Sequence, residues 1–359
     1  MSKGTTYQRK DGRWECRISL GVEDGKRKFR SFYGKTRDEA EYKMMIAQQT
    51  TNEVYAVTEM TVKELVTEWL YVQSARLKES TAANYRMKAE KHIIPNFGNT
   101  QCCLLKAKDV YAFVEKKLKD GLSARYLTDI IVLLKSIFRY ACREYHIKNV
   151  LDGIVMPKRY KREVKVLSKE QQTRLEHFIG NNTSLGTLGI SLSMYMGLRI
   201  GEICALQWGD IDLEKRIVTV RKTVQRVQCQ GERKTRVTIT EPKSACSKRE
   251  IPIPDCLFSM LLRFKDRNNV YVVSGTKKPI EPRTMQYRFA KILENADLPS
   301  VHFHSLRHLF ATNCVALGFD VKTLSEILGH SSIEVTMNLY VHSDMERKRA
   351  CMKLLSQVA

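Results

Sequence analysis

The sequence predicts an α+β multidomain protein. A small three-stranded sheet plus a helix comes first, then a helical unit, then a mainly α unit with a small antiparallel sheet. Three observations predict this. Two Asp-Gly pairs, Asp11-Gly12 and Asp24-Gly25, mark hairpins on either side of an alternating run. From Thr61 onward, helix-capping pairs open stretches with a helical apolar period. The short β-branched runs RIVTV, TRVTI and REIPI sit between helical segments of the C-terminal half. A chain of 359 residues also exceeds one ordinary core, so more than one domain is expected.

Residues 1–57 read as the sheet and its helix. Trp14, Cys16, Ile18 and Leu20 alternate with Glu15, Arg17 and Ser19, the period of a half-buried strand. Thr36 and Glu39 form a capping box that opens a helix through about Gln49. The polar strand faces carry Arg9, Arg13, Arg17, Lys28 and Arg30. A basic sheet face of this kind can lie in the major groove of DNA, the ordinary alternative being a solvated polar face.

Residues 58–157 are helical throughout. Thr61 and Glu64 form a capping box, and Val62, Leu65, Val66, Trp69 and Leu70 follow the helical period. Further helices are expected from Ser80 to Ile93, Ala107 to Lys119 and Ser123 to Tyr145, punctuated by Pro95, Gly98 and Gly121. This four-helix unit offers no group for catalysis. The charged, aperiodic stretch MPKRYKREVKV places an interdomain linker at residues 158–166. In residues 167–359, Ser168 caps a helix beginning KEQQTRL, and a second helix holds GISLSMYMGL. The three β-branched runs form a small antiparallel sheet, and helices return from about Pro254 and from Leu306 to the end.

Charge narrows the function. Lys and Arg number 61 against 39 Asp and Glu, a balance of +22, and each of the three segments carries a positive excess. Such a distribution suits a chain that meets a polyanion along its whole length, nucleic acid being the usual one. No apolar run approaches the roughly 18 residues that cross a bilayer, and the start, MSKGTTYQRKDGRW, lacks the apolar core of a signal peptide. An intracellular protein with no membrane partner is expected. The ten cysteines include no C-x-x-C pair, and Cys204 in EICAL and Cys142 in RYACREY sit inside apolar patterns. They read as free thiols of a reducing compartment.

Four stretches of the last segment carry chemistry. They are GLRIGEICAL at 197–206, EPKSACSKREIPI at 241–253, HSLRHLFAT at 304–312 and LGHSSIEVTMNLYVH at 328–342. In this order and at these spacings they resemble the tyrosine recombinase, or phage integrase, family. The basic sheet and helix at the front resemble the arm-binding domain of integrases from conjugative transposons and temperate phages. The resemblance covers essentially the whole chain and gives its parts their expected names: arm-binding domain, core-binding domain, linker and catalytic domain. It implies that Arg199, Lys243, His304, Arg307 and His330 are catalytic and that Tyr340 is the nucleophile. Glu202 matches an acidic position that supports the arginines. Ser305 stands where family members often carry Asp or another polar residue, a change beside the catalytic positions and not at one. His302 and His308 fall on no catalytic position and are expected to pack or face solvent, and His342 to be exposed. A metal site built from His302, His304 and His308 is not expected, because their spacing scatters them over different helical faces.

The implied reaction explains the residue types. Tyrosine attacks a DNA phosphodiester, giving a 3′-phosphotyrosine and a free 5′-hydroxyl. Two arginines can clamp the non-bridging oxygens as charge builds on them, and fixed donors of this kind are worth about 3–4 kcal/mol each in barrier height. A tyrosine hydroxyl with a reference pKa of about 10 needs help to lose its proton. His304 serves as base or relay, Lys243 can protonate the leaving oxygen, and His330 can hydrogen-bond the phosphate. The arginines take the electrostatic role of a metal. The covalent bond stores the energy for rejoining, so no cofactor or nucleotide is expected, in line with the missing phosphate-loop motif G-x-x-x-x-G-K-[ST].

The resemblance further implies integration and excision of a mobile element, duplex attachment sites as substrate, and a homotetramer on DNA in a bacterial cytoplasm, at the nucleoid when bound. A directionality factor (excisionase) and a host DNA-bending protein are the candidate accessory partners. A chromosome-dimer-resolving recombinase and a type IB topoisomerase share the chemistry, but the added front domain weighs against both. The intact set of six weighs against a regulator that has lost catalysis. A short amphipathic helix from Met345, capped by Asp344, must dock to be stable. The family resemblance favours docking on a neighbouring protomer, with packing on its own domain as the alternative.

Overall fold

The computed structural model describes residues 5–23, 26–45, 47, 60–145, 149, 151–158, 166–229, 235–241, 245–340, 349 and 352. The side chains of 20–23, 26–28 and 338–340 lie outside that description. So do the Asp24-Gly25 turn, the end of the first helix near Gln49, most of the predicted linker, Lys243, His342 and nearly all of the C-terminal tail. The chain divides into two compact units, Met1–Tyr160 and Lys161–Ala359.

The first unit begins with strands β1 (Thr5–Gln8), β2 (Trp14–Glu23) and β3 (Lys26–Gly34), an antiparallel sheet in that order. Gly12 turns the first hairpin at φ +82°, the left-handed conformation that glycine adopts without strain. Helix α1 occupies residues 37–45, and the Thr36 hydroxyl accepts the Glu39 amide at 3.2 Å. The strand period works as expected for β2. Cys16 is fully buried on one face, beside Met44 of α1, while Glu15 and Arg17 lie on the other.

The helical part comprises α2 (Val62–Ser74), α3 (Glu79–Lys88), α4 (Ile94–Phe97), α5 (Ala107–Lys119) and α6 (Ala124–Tyr145). The Thr61–Glu64 capping box is present. The helix expected from Ser80 to Ile93 runs on without a break to Phe97: residues Ala89–Ile93 form a π-turn that joins α3 to α4, and Pro95 follows directly after that widened turn. Val62, Leu65, Trp69, Ile93, Leu127, Leu134 and Phe138 share the core.

The second unit contains α7 (Lys169–Asn181), α8 (Leu185–Met196), α9 (Ile200–Ala205), β4 (Ile211–Asp212), β5 (Ile217–Val220), β6 (Thr223–Gln228), β7 (Thr235–Thr240) and β8 (Arg249–Pro252). There follow α10 (Asp255–Phe264), α11 (Pro282–Asn295), α12 (His304–Ala316), α13 (Val321–Leu328) and α14 (Ile333–Tyr340). Helix α8 is apolar on every side and almost wholly buried, and α9, α10, α11 and α12 pack around it. The three β-branched runs do not form one sheet. RIVTV and REIPI pair through β5 and β8, whereas TRVTI pairs with β6 in a separate two-stranded hairpin. Arg221 and Lys222 leave the ladder between β5 and β6, and this break splits the two sheets. Among the described residues the final helical region contains α12, which ends at the C-capping residue Leu317, α13, which ends at the left-handed Gly329, and α14, with Arg349 and Met352 also helical.

Candidate active site

Arg199 is placed by a glycine-dependent turn at the end of α8 and the extended residue that follows it. Gly197 ends the helix at φ +65°, and a Cβ there would lie 2.6 Å from the Phe310 ring and 2.9 Å from Leu328. The chain then extends, and Arg199 becomes the N-cap of α9. Its amide donates to Glu202 Oε2 at 3.0 Å, and its Nη1 donates to Glu202 Oε1 at 2.8 Å. Its Nη2 donates to the Gly329 carbonyl at 2.9 Å. Glu202 thus holds both the backbone and the guanidinium of Arg199.

His304 and Arg307 stand three residues apart at the start of α12. Arg307 is 1% exposed, donating from Nη1 to the Gly197 carbonyl at 2.8 Å and from Nη2 to the Leu328 carbonyl at 2.7 Å. His330 follows the left-handed Gly329, and its Nδ1 lies 2.8 Å from the hydroxyl of Thr336, which is fully buried on α14. Tyr340 comes one helical turn after Thr336 at the end of α14, its side chain outside the described residues. Lys243 also lies outside them. The chain therefore gathers Arg199, Glu202, His304, Arg307 and His330 around the C-terminal end of α13.

The gathered charges set the protonation. Burial, then the charges of His308, Arg307 and Arg199, push His304 down to about 4, although the ring keeps an exposed edge. Burial, then Arg307, Arg199, Arg249 and His304, push His330 down to about 4 as well. Both imidazoles are neutral near pH 7. Burial alone would raise the Glu202 carboxyl, but the hydrogen bonds and charge of Arg249, then the charge of Arg199, outweigh it and hold the group below its usual range. The result is a carboxylate held between arginines beside two neutral imidazoles, an arrangement suited to an anion that must exchange protons. His308 stacks edge-on against His304, with ring centroids 4.8 Å apart, and His302 is exposed.

Two residues of this cluster escaped the sequence reading. Arg249 shares Glu202 with Arg199. Its signal was a charge in register with Ile251 and Ile253, on the inward side of an alternating strand. Thr336 had no comparable signal, since a threonine on a helix is common.

The N-terminal sheet departs from the expected single basic face. Arg17 lies on the face of Glu15 and Tyr7, and Arg9 and Arg13 at the turn reach over the Tyr33 ring on that same side. Arg30, however, pairs across from Ile18 and so lies on the opposite face, because residues directly opposite one another in a ladder share a side. Lys28 stands opposite Gly21, past the irregularity between Ser19 and Gly21. The arginine face is also partly neutralised. Glu15 has no exposed side-chain surface and binds Arg9 at 2.8 Å and Arg17 at 2.6 Å. A hydrogen bond from Ser31, then those from Arg17, Arg9 and Tyr7, push its carboxyl down to about 2 against the opposing effect of burial.

The thiols divide by position. Cys16, Cys102, Cys204 and Cys314 are buried, whereas Cys103, Cys246 and Cys256 are exposed. Among the described residues no helix is long and apolar enough to cross a membrane.

A model of the phage integrase family matches residues 165–347, and a model of the phage integrase N-terminal SAM-like domain matches residues 61–118. The chain is 28% identical over 396 aligned residues, spanning all of both chains, to a protein of Caldanaerobacter subterraneus subsp. tengcongensis named tyrosine recombinase XerC-like. Its fold is similar to that of the Tn1549 transposon integrase in complex with a circular intermediate DNA, with a TM-score of 0.70, 22% identity, and coverage of 82% of this chain and 99% of that one. It is also similar to a lambda integrase tetramer bound to a Holliday junction, with a TM-score of 0.61, 18% identity, and coverage of 91% and 95%.

Proposed function

The chain belongs to the phage integrase family, and from that premise we propose that it is the integrase of a mobile genetic element, with duplex attachment sites as substrate. It is a tyrosine-type site-specific recombinase that cuts and rejoins DNA through a 3′-phosphotyrosine bond. In this reading Tyr340 attacks the scissile phosphorus, and Arg199 and Arg307 hold the non-bridging oxygens. Neutral His304 takes up or relays the tyrosine proton. The Thr336 hydroxyl lies 2.8 Å from Nδ1 of His330; in this reading it donates there, so that Nε2 carries the proton and donates to the phosphate. Lys243 protonates the departing 5′-oxygen. The observation that carries this reading is the convergence of Arg199, Arg307, His304 and His330 on the end of α13.

The domain roles follow the same reading. Residues 1–57 bind arm sites, 58–157 and 167–359 bind the core site, and 158–166 join them. On the arm-binding sheet, Arg9, Arg13 and Arg17 are the contacts favoured by their shared face. Arg30, which lies on the other face, and Lys28 are the less favoured contacts. Duplex DNA is the partner, and assembly as a tetramer takes its support from the lambda integrase tetramer on a Holliday junction. A directionality factor and a DNA-bending protein remain the proposed accessory partners, and the bacterial cytoplasm the proposed compartment.

The test is to mix the full chain with a nicked duplex spanning the attachment junction recovered from DNA flanking the gene. The nick, placed a few nucleotides 3′ of the cut, lets the short segment bearing the free 5′-hydroxyl diffuse away and traps the adduct. A protein–DNA band that survives denaturation supports the recombinase; DNA binding with no such band makes the chain a binding protein only.

A further inference from the structure

We propose that Arg249 is a positioning residue for strand cleavage: seated between Glu202 and the end of α13, it fixes both groups that hold Arg199. The inference rests on the recombinase reading.

Arg199 has two anchors apart from its own helix cap, the Glu202 carboxylate and the Gly329 carbonyl. Arg249 touches the surroundings of both. Its Nη2 and Nη1 donate to the two Glu202 oxygens at 2.9 and 3.1 Å, a forked pair in which both side chains are nearly buried, at 6% and 4% exposed. Its Nε donates to the Ile327 carbonyl at 2.5 Å, and its Nη1 also donates to the Ser247 carbonyl at 3.1 Å. Its stem lies against the turn that follows: a Cβ added to Gly329 would meet Arg249 Nη1 at 3.0 Å and Cδ at 3.1 Å.

Glu202 is shared by two guanidinium groups of unequal exposure. Arg199 keeps 34% of its side-chain surface open, as a group that must meet a phosphate would, while Arg249 is enclosed. The enclosed arginine is bound on several sides by fixed acceptors, so its work is internal. Removing it leaves the carboxylate held from one side, free to rotate toward the exposed guanidinium and pull it off its line. A lysine could keep the charge but not the fork.

The test compares the full-length wild type with R249M, R249K, E202Q and the R249M/E202Q double variant. Two quantities are read on the nicked junction duplex: affinity, and the single-turnover rate of adduct formation. R249M is expected to slow adduct formation by about tenfold or more with affinity changed less than about threefold, and R249K to fall between R249M and wild type. Because Arg249 and Glu202 work as one unit, the double variant should lose clearly less than the product of the two single losses, with any deficit beyond E202Q coming from the α13 end. If R249M does not fold, as read by circular dichroism, R249K set against E202Q carries the comparison. A wild-type rate in R249M overturns the role. So does a double-variant loss equal to the product of the single losses, or a rate that falls only with the folded fraction. Absence of any adduct with the wild-type chain overturns the recombinase reading itself, and this role with it.

Discussion

Arg199 and Gly329, 130 residues apart, are joined by a 2.9 Å hydrogen bond from Nη2 to the carbonyl oxygen. The two preceding carbonyls, of Leu328 and Ile327, accept from Arg307 and Arg249. Three successive carbonyls at the end of α13 therefore meet three arginines from three different elements. The last carbonyls of a helix lack intrahelical partners and sit at the negative end of its dipole. They pin the three cationic groups in place.

Two glycines separate backbone strain from this function. Gly329 and Gly318 both adopt left-handed angles, at φ +65° and +85°, but a Cβ on Gly318 would meet nothing within 4 Å, while one on Gly329 would press on Arg249. Each alanine variant should lose about 1–2 kcal/mol of stability in urea unfolding from the left-handed angle. Gly329→Ala should also slow adduct formation, and Gly318→Ala should not. Equal rates in the two variants would detach the turn from the chemistry.

The histidines predict a pH response. His304 and His330 titrate at about 4 in the folded chain, whereas a free imidazole does so at about 6.5. Between those values the unfolded chain binds more protons. Their contribution to stability is therefore complete above about pH 6.5 and falls as pH drops toward 4. The thermal midpoint should decline over that window. The rate of adduct formation by the free enzyme should stay flat from neutral pH down to about 5. A rate limb centred near 6.5 would show that the base is an unperturbed histidine.

DNA binding should be strongly salt-dependent, given the excess of 61 basic over 39 acidic residues. If about 8 phosphates are neutralised, log affinity falls with log salt at a slope near −7. Titrations at several salt concentrations measure it, and a slope near zero would assign the charge to another purpose.

The legibility of this chain followed periodicity. The capping box at Thr61, the cap at Ser168 and the alternation of β2 were readable because they are local. Sheet partners were not. β5 skips two neighbouring strands to pair with β8, and nothing in RIVTV or TRVTI says which partner each will choose. Arg30 was misplaced for a related reason: only the register with Ile18 fixes its side of the sheet. Glu15 read as one more polar residue, whereas the fold wraps it in two arginines and so reduces the free charge of that face. In the candidate site, the ordered motifs proposed Arg199, Glu202, His304, Arg307 and His330, and the fold brings these five together. Arg249 needed the contact across 47 residues to Glu202 before its place was visible.

Deleting residues 1–57 should leave adduct formation on a core-site oligonucleotide within about twofold, while recombination between full attachment sites drops sharply. Equal recombination by the shortened and full-length chains would remove the arm-binding role from this segment.

The most direct measurement is to isolate the protein–DNA adduct formed on the nicked junction duplex, digest it, and identify the DNA-linked residue by mass spectrometry, with Tyr340→Phe alongside. The account predicts a nucleotide linked to Tyr340, and a Tyr340→Phe chain that binds the duplex with wild-type affinity yet forms no adduct. A link at any other residue, or an adduct that persists in Tyr340→Phe, would contradict it.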